Sequence, residues 1–275
     1  MHRVAGFWWR SLAARLKSGS DLAAAVEERP ALTLADLASS ASHRWGCQPF
    51  LEVWSSRSAP SAVSFKSFAL LVESAVALLQ QHGAEWGSKL AVLCHPCPDS
   101  LALSLAMTSL GGIVVNLNWR HPEGTLQQLL VGVGCELMVT GRGLAATARW
   151  LCEAAGNVDA LLLLEQSKAE LADGAPSTAE YTVACGPRRS TRLSVAAANP
   201  RLNRGGVAAA RAEPDDVAVV MFTSGTSALP KAVPLTHRNL LWSCNAKARG
   251  SNPTHPGCNP TSKLQPYIRT VTPRI

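Results

Sequence analysis

Thr223-Ser224-Gly225-Thr226-Ser227-Ala228-Leu229-Pro230-Lys231 carries the side chains that a polyphosphate would need. Small residues let backbone N–H groups converge, hydroxyls add further donors, and Lys231 supplies a mobile positive charge. The preceding run, Val217-Ala218-Val219-Val220-Met221-Phe222, is continuously apolar and reads as a buried strand. The expectation is a hydroxyl-lined hairpin at a sheet's edge, shaped as a polyphosphate cradle. The stretch is not a Walker A loop, because between Gly225 and Lys231 it lacks the second glycine and the following Ser or Thr. The plain alternative is an ordinary Ser/Thr-rich turn.

A scaffold for that loop can be read upstream. Thr33 can cap a helix bearing Leu34, Leu37 and Ala38, and Phe50 to Trp54 reads as a strand. Ser67 opens a helix with Leu71, Ala75, Leu78 and Leu79 on one face, closed by Gly83. Strands at 89–93, 113–117, 137–140 and 160–164 then alternate with helices at 99–110, 123–133 and 144–155. Such alternation requires an α/β fold with parallel-rich sheets and helices on both faces. Residues 167–214, rich in Ala, Ser, Gly, Pro and Arg, hold no period and read as a flexible insert before the loop strand. Beyond the loop, Asn239 to Ala248 is a plausible helix.

The loop resembles the phosphate-binding signature of adenylate-forming enzymes, the AMP-binding superfamily of acyl-CoA synthetases, aryl-acid ligases, luciferases and peptide-synthetase adenylation domains. Phe222 through Lys231 match it, and Thr236-His237 fall where the family's Thr-His lies. Two of the signature's glycines are replaced, by Ala228 and Ala232; at a position needing positive φ each would cost about 1 kcal/mol. Phe65 to Thr140 also follows the family's course, most clearly in Gly111-Gly112-Ile113-Val114-Val115-Asn116-Leu117-Asn118-Trp119-Arg120, with Cys97 where the family has Asn. The resemblance spans roughly Leu32 to Ala248 and implies the N-terminal, incomplete part of an adenylate-forming large domain.

It implies ATP-dependent activation of a small carboxylic acid as an acyl-adenylate, followed by transfer to CoA. Thr223, Ser224, Thr226 and Ser227, with the Gly225 backbone, would hold the β- and γ-phosphates. Lys231 would steady the loop or the leaving pyrophosphate. His237 would either meet the acyl pocket or pack at a helix start. ATP, Mg²⁺ and CoA are the implied co-reactants, but the family's metal-binding acid, ribose-binding acid and C-terminal catalytic lysine have no counterpart here. The alternative is a non-catalytic fragment that binds ATP or a partner. The expected layout is a partial AMP-binding domain over 31–249 and an unrelated, disordered tail over 250–275, dense in Pro.

Composition constrains the rest. Hydrophobic content of 47% and charged content of 16% describe a globular chain. Its formal charge of +7 is uneven: Arg3, Arg10, Arg15 and Lys17 open the chain without an acid, and no Asp or Glu follows Val217. No nucleic-acid module accompanies that basic end. Residues 1–30, with Val4, Trp8, Leu12 and Leu16 at helical spacing, read as a mitochondrial or plastid transit peptide, a membrane-surface helix or a first helix packed on the domain. Eight scattered cysteines point to reduced, intracellular thiols, and no stable membrane span is expected. Cys94-His95-Pro96-Cys97 reads as a strand-end loop rather than a metal or redox motif, so no metal ligands are expected.

Overall fold

Residues 33–53, 61–165, 180–183, 192–194, 212–223 and 229–250 are described by a computed structural model. The basic N-terminal segment, loop residues 224–228 and the tail from 251 lie outside the described residues. Helix α1 (Leu34–Trp45) begins where Thr33 and Asp36 cap each other: Thr33 Oγ1 accepts the Asp36 N–H at 3.4 Å and Asp36 Oδ2 accepts the Thr33 N–H at 2.8 Å. Strands β1 (Pro49–Val53) and β2 (Ser61–Ser64) pair antiparallel, and Phe50 packs against Phe65 and Phe68 of α2 (Phe65–Gln81). Helix α2 starts two residues earlier than the sequence reading placed it. Ser64 is the cap, accepting the Ser67 N–H at 3.1 Å, and the Ser67 hydroxyl is drawn into the same cluster.

The main sheet is built from β3 (Lys89–Leu93), β4 (Ile113–Asn116), β5 (Leu137–Gly141), β6 (Ala160–Glu165), β7 (Glu180–Val183), β8 (Arg192–Ser194), β9 (Val217–Thr223) and β10 (Lys231–Thr236). They lie in the order β10-β9-β4-β3-β5-β6-β7-β8. Neighbours from β9 through β6 pair in parallel; β10 with β9, β7 with β6 and β8 with β7 are antiparallel. Thus β7 and β8 occupy part of the stretch read as an aperiodic insert.

Alternation along each strand divides the core in two. Leu90 and Val92 join Val114, Val139 and Leu162 on one face, under Leu71, Leu78 and Leu79 of α2 and Leu103 and Met107 of α3 (Pro98–Ser109). Ala91 and Leu93 join Val115, Met138 and Leu161 on the other, under Leu126 and Leu130 of α4 (Glu123–Val133) and Leu151 and Cys152 of α5 (Ala145–Ala155). Burial on both faces explains why these strands read as unbroken apolar runs. The helices change face as the chain changes direction. The β3–α3–β4 connection steps toward β9, whereas β4–α4–β5 returns past β3. Connections of one hand that reverse direction must place their helices on opposite sides.

The Gly111-Gly112 turn between α3 and β4 is set by close packing. Gly111 has φ +74°, and a Cβ there would fall on the Trp86 indole; one at Gly112 would meet the end of Met107. The turn is held by Gly87 N–H to the Gly111 carbonyl (3.0 Å) and Gly112 N–H to the Met107 carbonyl (2.9 Å).

Candidate functional site

Parallel α/β sheets place ligands beyond the carboxyl ends of their strands. At that edge lie, among others, the loop after β3 (Cys94–Cys97), the one after β4 (Leu117–Arg120), and the end of β9 with the start of β10.

The β9–β10 pair carries the first and last residues of the loop expected to meet an anion. Strand β9 leaves the core as it runs: Ala218 and Val220 are buried, Phe222 is half-buried, and Met221 and Thr223 are exposed. The sequence reading of a wholly buried strand therefore holds only for its first half. Its neighbour on β4 emerges too, with Asn116 exposed and its Nδ2 donating to Met221 Sδ at 3.7 Å. Thr223 stands opposite Lys231 in the register, both exposed, and among the described residues no acid pairs with the Lys231 ammonium. A hydroxyl-bearing and a cationic residue are thus register partners at the end of the described ladder. Ser224, Gly225, Thr226 and Ser227, which the turn would add, lie outside the described residues.

The return strand of the expected hairpin is β10, antiparallel to β9, and it contains Pro234. Proline lacks a ladder donor and is tolerated on an edge strand, and among the described residues β10 is the last strand of the sheet on this side. Ala232, at one of the replaced glycines, pairs with Phe222 in this strand. No described residue other than glycine has positive φ, so alanine is unstrained there.

His237 opens α6 (His237–Gly250) and is 1% exposed. Its Nδ1 accepts the Leu34 N–H at 3.2 Å. Its own N–H donates to the Asp216 carbonyl at 3.2 Å, and the Arg238 N–H to the Pro214 carbonyl at 2.8 Å. Burial lowers the His237 pKa, partly offset by Asp216 and Asp36, which keeps the ring neutral and able to accept. The structure therefore places this side chain in a packed junction, away from the exposed pair Thr223 and Lys231.

In the β3–α3 loop, Cys97 caps α3: its sulfur accepts the Ser100 N–H at 3.4 Å and its N–H donates to Ser100 Oγ at 3.1 Å. Burial, then the charge of Cys97, pushes the Cys94 thiol up to about 12, and burial raises Cys97 as well. Both are held as thiols, the opposite of a primed nucleophile. Among the described residues no three His, Cys, Asp or Glu side chains come together as metal ligands. Next to this loop the His95 ring meets Trp119 edge-on at 4.6 Å and Arg120 lies 4.4 Å over the same indole. This aromatic-cation stack was not foreseen; the adjacent Trp-Arg at a strand end was its signal.

A separate apolar cavity of about 420 Å³ is walled by Leu34 and Ala38 of α1, Phe50, Phe68, Leu101 and, from α6, Cys244. No hairpin residue lines it. Among the described residues no helix is long and apolar enough to cross a membrane.

The family model for the AMP-binding enzyme matches residues 46–264, and the chain belongs to that family. It is 27% identical over 177 residues to tenellin synthetase of Beauveria bassiana, covering 64% of this chain and 4% of that protein. It is 26% identical over 189 residues to an L-proline--[L-prolyl-carrier protein] ligase of Pseudomonas fluorescens, covering 66% of this chain and 32% of that one. Among solved structures, a long-chain-fatty-acid-CoA ligase from Archaeoglobus fulgidus superposes with a TM-score of 0.54 at 19% identity, covering 78% of this chain and 38% of that one. The chain thus spans about a third or less of the two curated relatives, and the structural match bears on the fold.

Proposed function

We propose that the β9–β10 hairpin is the triphosphate grip of an adenylate-forming ligase that activates a carboxylic acid with ATP. The pairing of Thr223 with Lys231 at the carboxyl edge of a parallel sheet, in a chain of this family, carries the reading. In the reaction a carboxylate oxygen attacks the α-phosphorus and pyrophosphate leaves. The Thr223 hydroxyl donates to a phosphate oxygen, and the Lys231 ammonium offsets the charge of the departing pyrophosphate. Such catalysis rests on placement and fixed charge rather than on a protein nucleophile. Ser224, Thr226, Ser227 and the Gly225 backbone complete the grip, and Mg²⁺ accompanies the nucleotide.

The acceptor of the acyl group is a thiol. CoA is our first assignment, supported by the likeness of the Leu117-Asn118-Trp119-Arg120 block to acyl-CoA synthetases. A carrier-protein thiol is the second, favoured by the name of the Pseudomonas relative. The metal acid, ribose acid and catalytic lysine of the family have no match in these 275 residues.

The test is twofold. Mg-ATP should raise the melting temperature of the purified chain, and Thr223→Val together with Lys231→Ala should weaken its binding. No response to millimolar Mg-ATP overturns the grip, and binding of Mg-ATP unchanged by Thr223→Val together with Lys231→Ala removes these two residues from it.

A further inference from the structure

The first N–H groups of a helix have no partner within it. In α1 the Asp36 N–H is served by Thr33, but the Leu34 N–H is served from 203 positions away, by the imidazole of His237. That imidazole belongs to the first residue of α6, whose own leading N–H groups are taken by the Asp216 and Pro214 carbonyls and, at Asn239, by the Thr236 hydroxyl. The ring of His237 therefore links the start of α1 to the start of α6, and the backbone N–H of the same residue ties α6 to the turn that leads into β9. Because α6 follows β10 without a break, whatever fixes His237 also fixes the strand that begins with Lys231. Further along, α1 and α6 both wall the apolar cavity, with Leu34, Ala35 and Ala38 from one and Cys244 from the other. The hydrogen bond is thus a defined link between helices whose nearby surfaces leave open space.

We propose that His237 is a positioning residue: it fastens the β9–β10 hairpin and α6 to the amino end of α1 and so holds Thr223 and Lys231 in register for a phosphate. The fastening needs no nucleotide; its effect on ligand rests on the phosphate reading above. Only the neutral ring can accept the Leu34 N–H, since protonation makes both ring nitrogens donors. A charged ring would also lie at the positive ends of two helices. The charged groups facing it are Asp36 of α1 and Asp216 before β9, which favour protonation, with the Arg238–Asp215 ion pair on the neighbouring residue.

The experiment compares the wild-type chain with His237→Ala and His237→Asn, reading amide hydrogen exchange in peptides covering 33–38 and 229–236. Asparagine can present its Oδ1 near the place of Nδ1. Loss of one net hydrogen bond should speed exchange in both peptides of the alanine variant by about fivefold, while the asparagine variant stays within about twofold of wild type. Unchanged protection of 33–38 in the alanine variant, or equal loss in both variants, overturns the proposal. Should the alanine variant not fold, the wild type is taken from pH 7.5 to pH 5.5, with intrinsic exchange corrected. Both peptides should loosen in the wild type and not in His237→Asn; identical behaviour overturns the proposal. Mg-ATP titration of the same proteins should show weaker binding by about fivefold in His237→Ala, recovered in His237→Asn. A wild-type chain that ignores Mg-ATP defeats the phosphate reading and leaves the exchange result standing on its own.

Discussion

Thr223 and Lys231 face each other as the last described pair of the β9–β10 ladder, so one turn of chain separates a hydroxyl from a cation that are already neighbours. Replacing Lys231 by alanine should weaken Mg-ATP binding by about tenfold, the scale of a charge-assisted contact, with no change in melting temperature because the side chain is exposed. Thr223→Val should lose less, about fivefold. Isothermal titration with Mg-ATP reads both; equal affinity in Lys231→Ala and wild type would detach the lysine from the ligand.

The Trp86–Gly111 contact gives a stability prediction. Gly83 and Gly111 both have positive φ, but a methyl group at Gly83 would meet nothing, whereas at Gly111 it would strike the indole and Gly111 is tied to Gly87. Gly83→Ala should therefore cost about 1 kcal/mol, from backbone strain alone. Gly111→Ala should cost roughly 2–3 kcal/mol, because the ring must also move. Urea denaturation distinguishes them, and equal costs would show that Trp86 swings aside freely.

Thiol labelling tests the β3–α3 loop. With Cys94 pushed up to about 12, only about one molecule in ten thousand carries its thiolate at pH 8. Among the described cysteines Cys47 is exposed and Cys135 is buried, its thiol also pushed up to about 12 by burial and by Glu136. Iodoacetamide should modify Cys47 well before Cys94, Cys97 or Cys135, as read by peptide mass spectrometry. Early modification of Cys94 would contradict the packing of the loop.

Acid should loosen the fold through His237. Its pKa in the folded chain lies below the ordinary histidine value, so the unfolded chain binds the proton more readily. The contribution is complete above about pH 6.5 and declines as the pH falls through the depressed folded value. Melting temperature measured from pH 7.5 to pH 5 should fall more steeply in wild type than in His237→Asn. Parallel curves would assign the acid sensitivity to other groups.

The sheet was legible because its strands are covered on both faces. Leu90 through Leu93 could read as a strand without knowing which residue met which helix. The hairpin was legible from its apolar run, hydroxyls and lysine, but the bounds of its return strand were not, because Pro234 fits a strand only at an edge. Strands β7 and β8 were hidden by the Ala-, Ser-, Gly- and Pro-rich composition around them, where pairing to β6 rather than local pattern sets the conformation. For His237 a packing or capping role at a helix start was one of two readings, but its partner was not legible, because that partner is a backbone N–H and any residue except proline could have stood at position 34.

Pro234 has a consequence for how molecules of this chain meet. A free sheet margin offers alternating donors and acceptors to any passing extended polypeptide, which is how native sheets seed aggregates. On β10 that margin lacks one amide proton in the middle of a six-residue strand. Among the described residues β10 closes the sheet on this side, so Pro234 disfavours addition of a further strand along it.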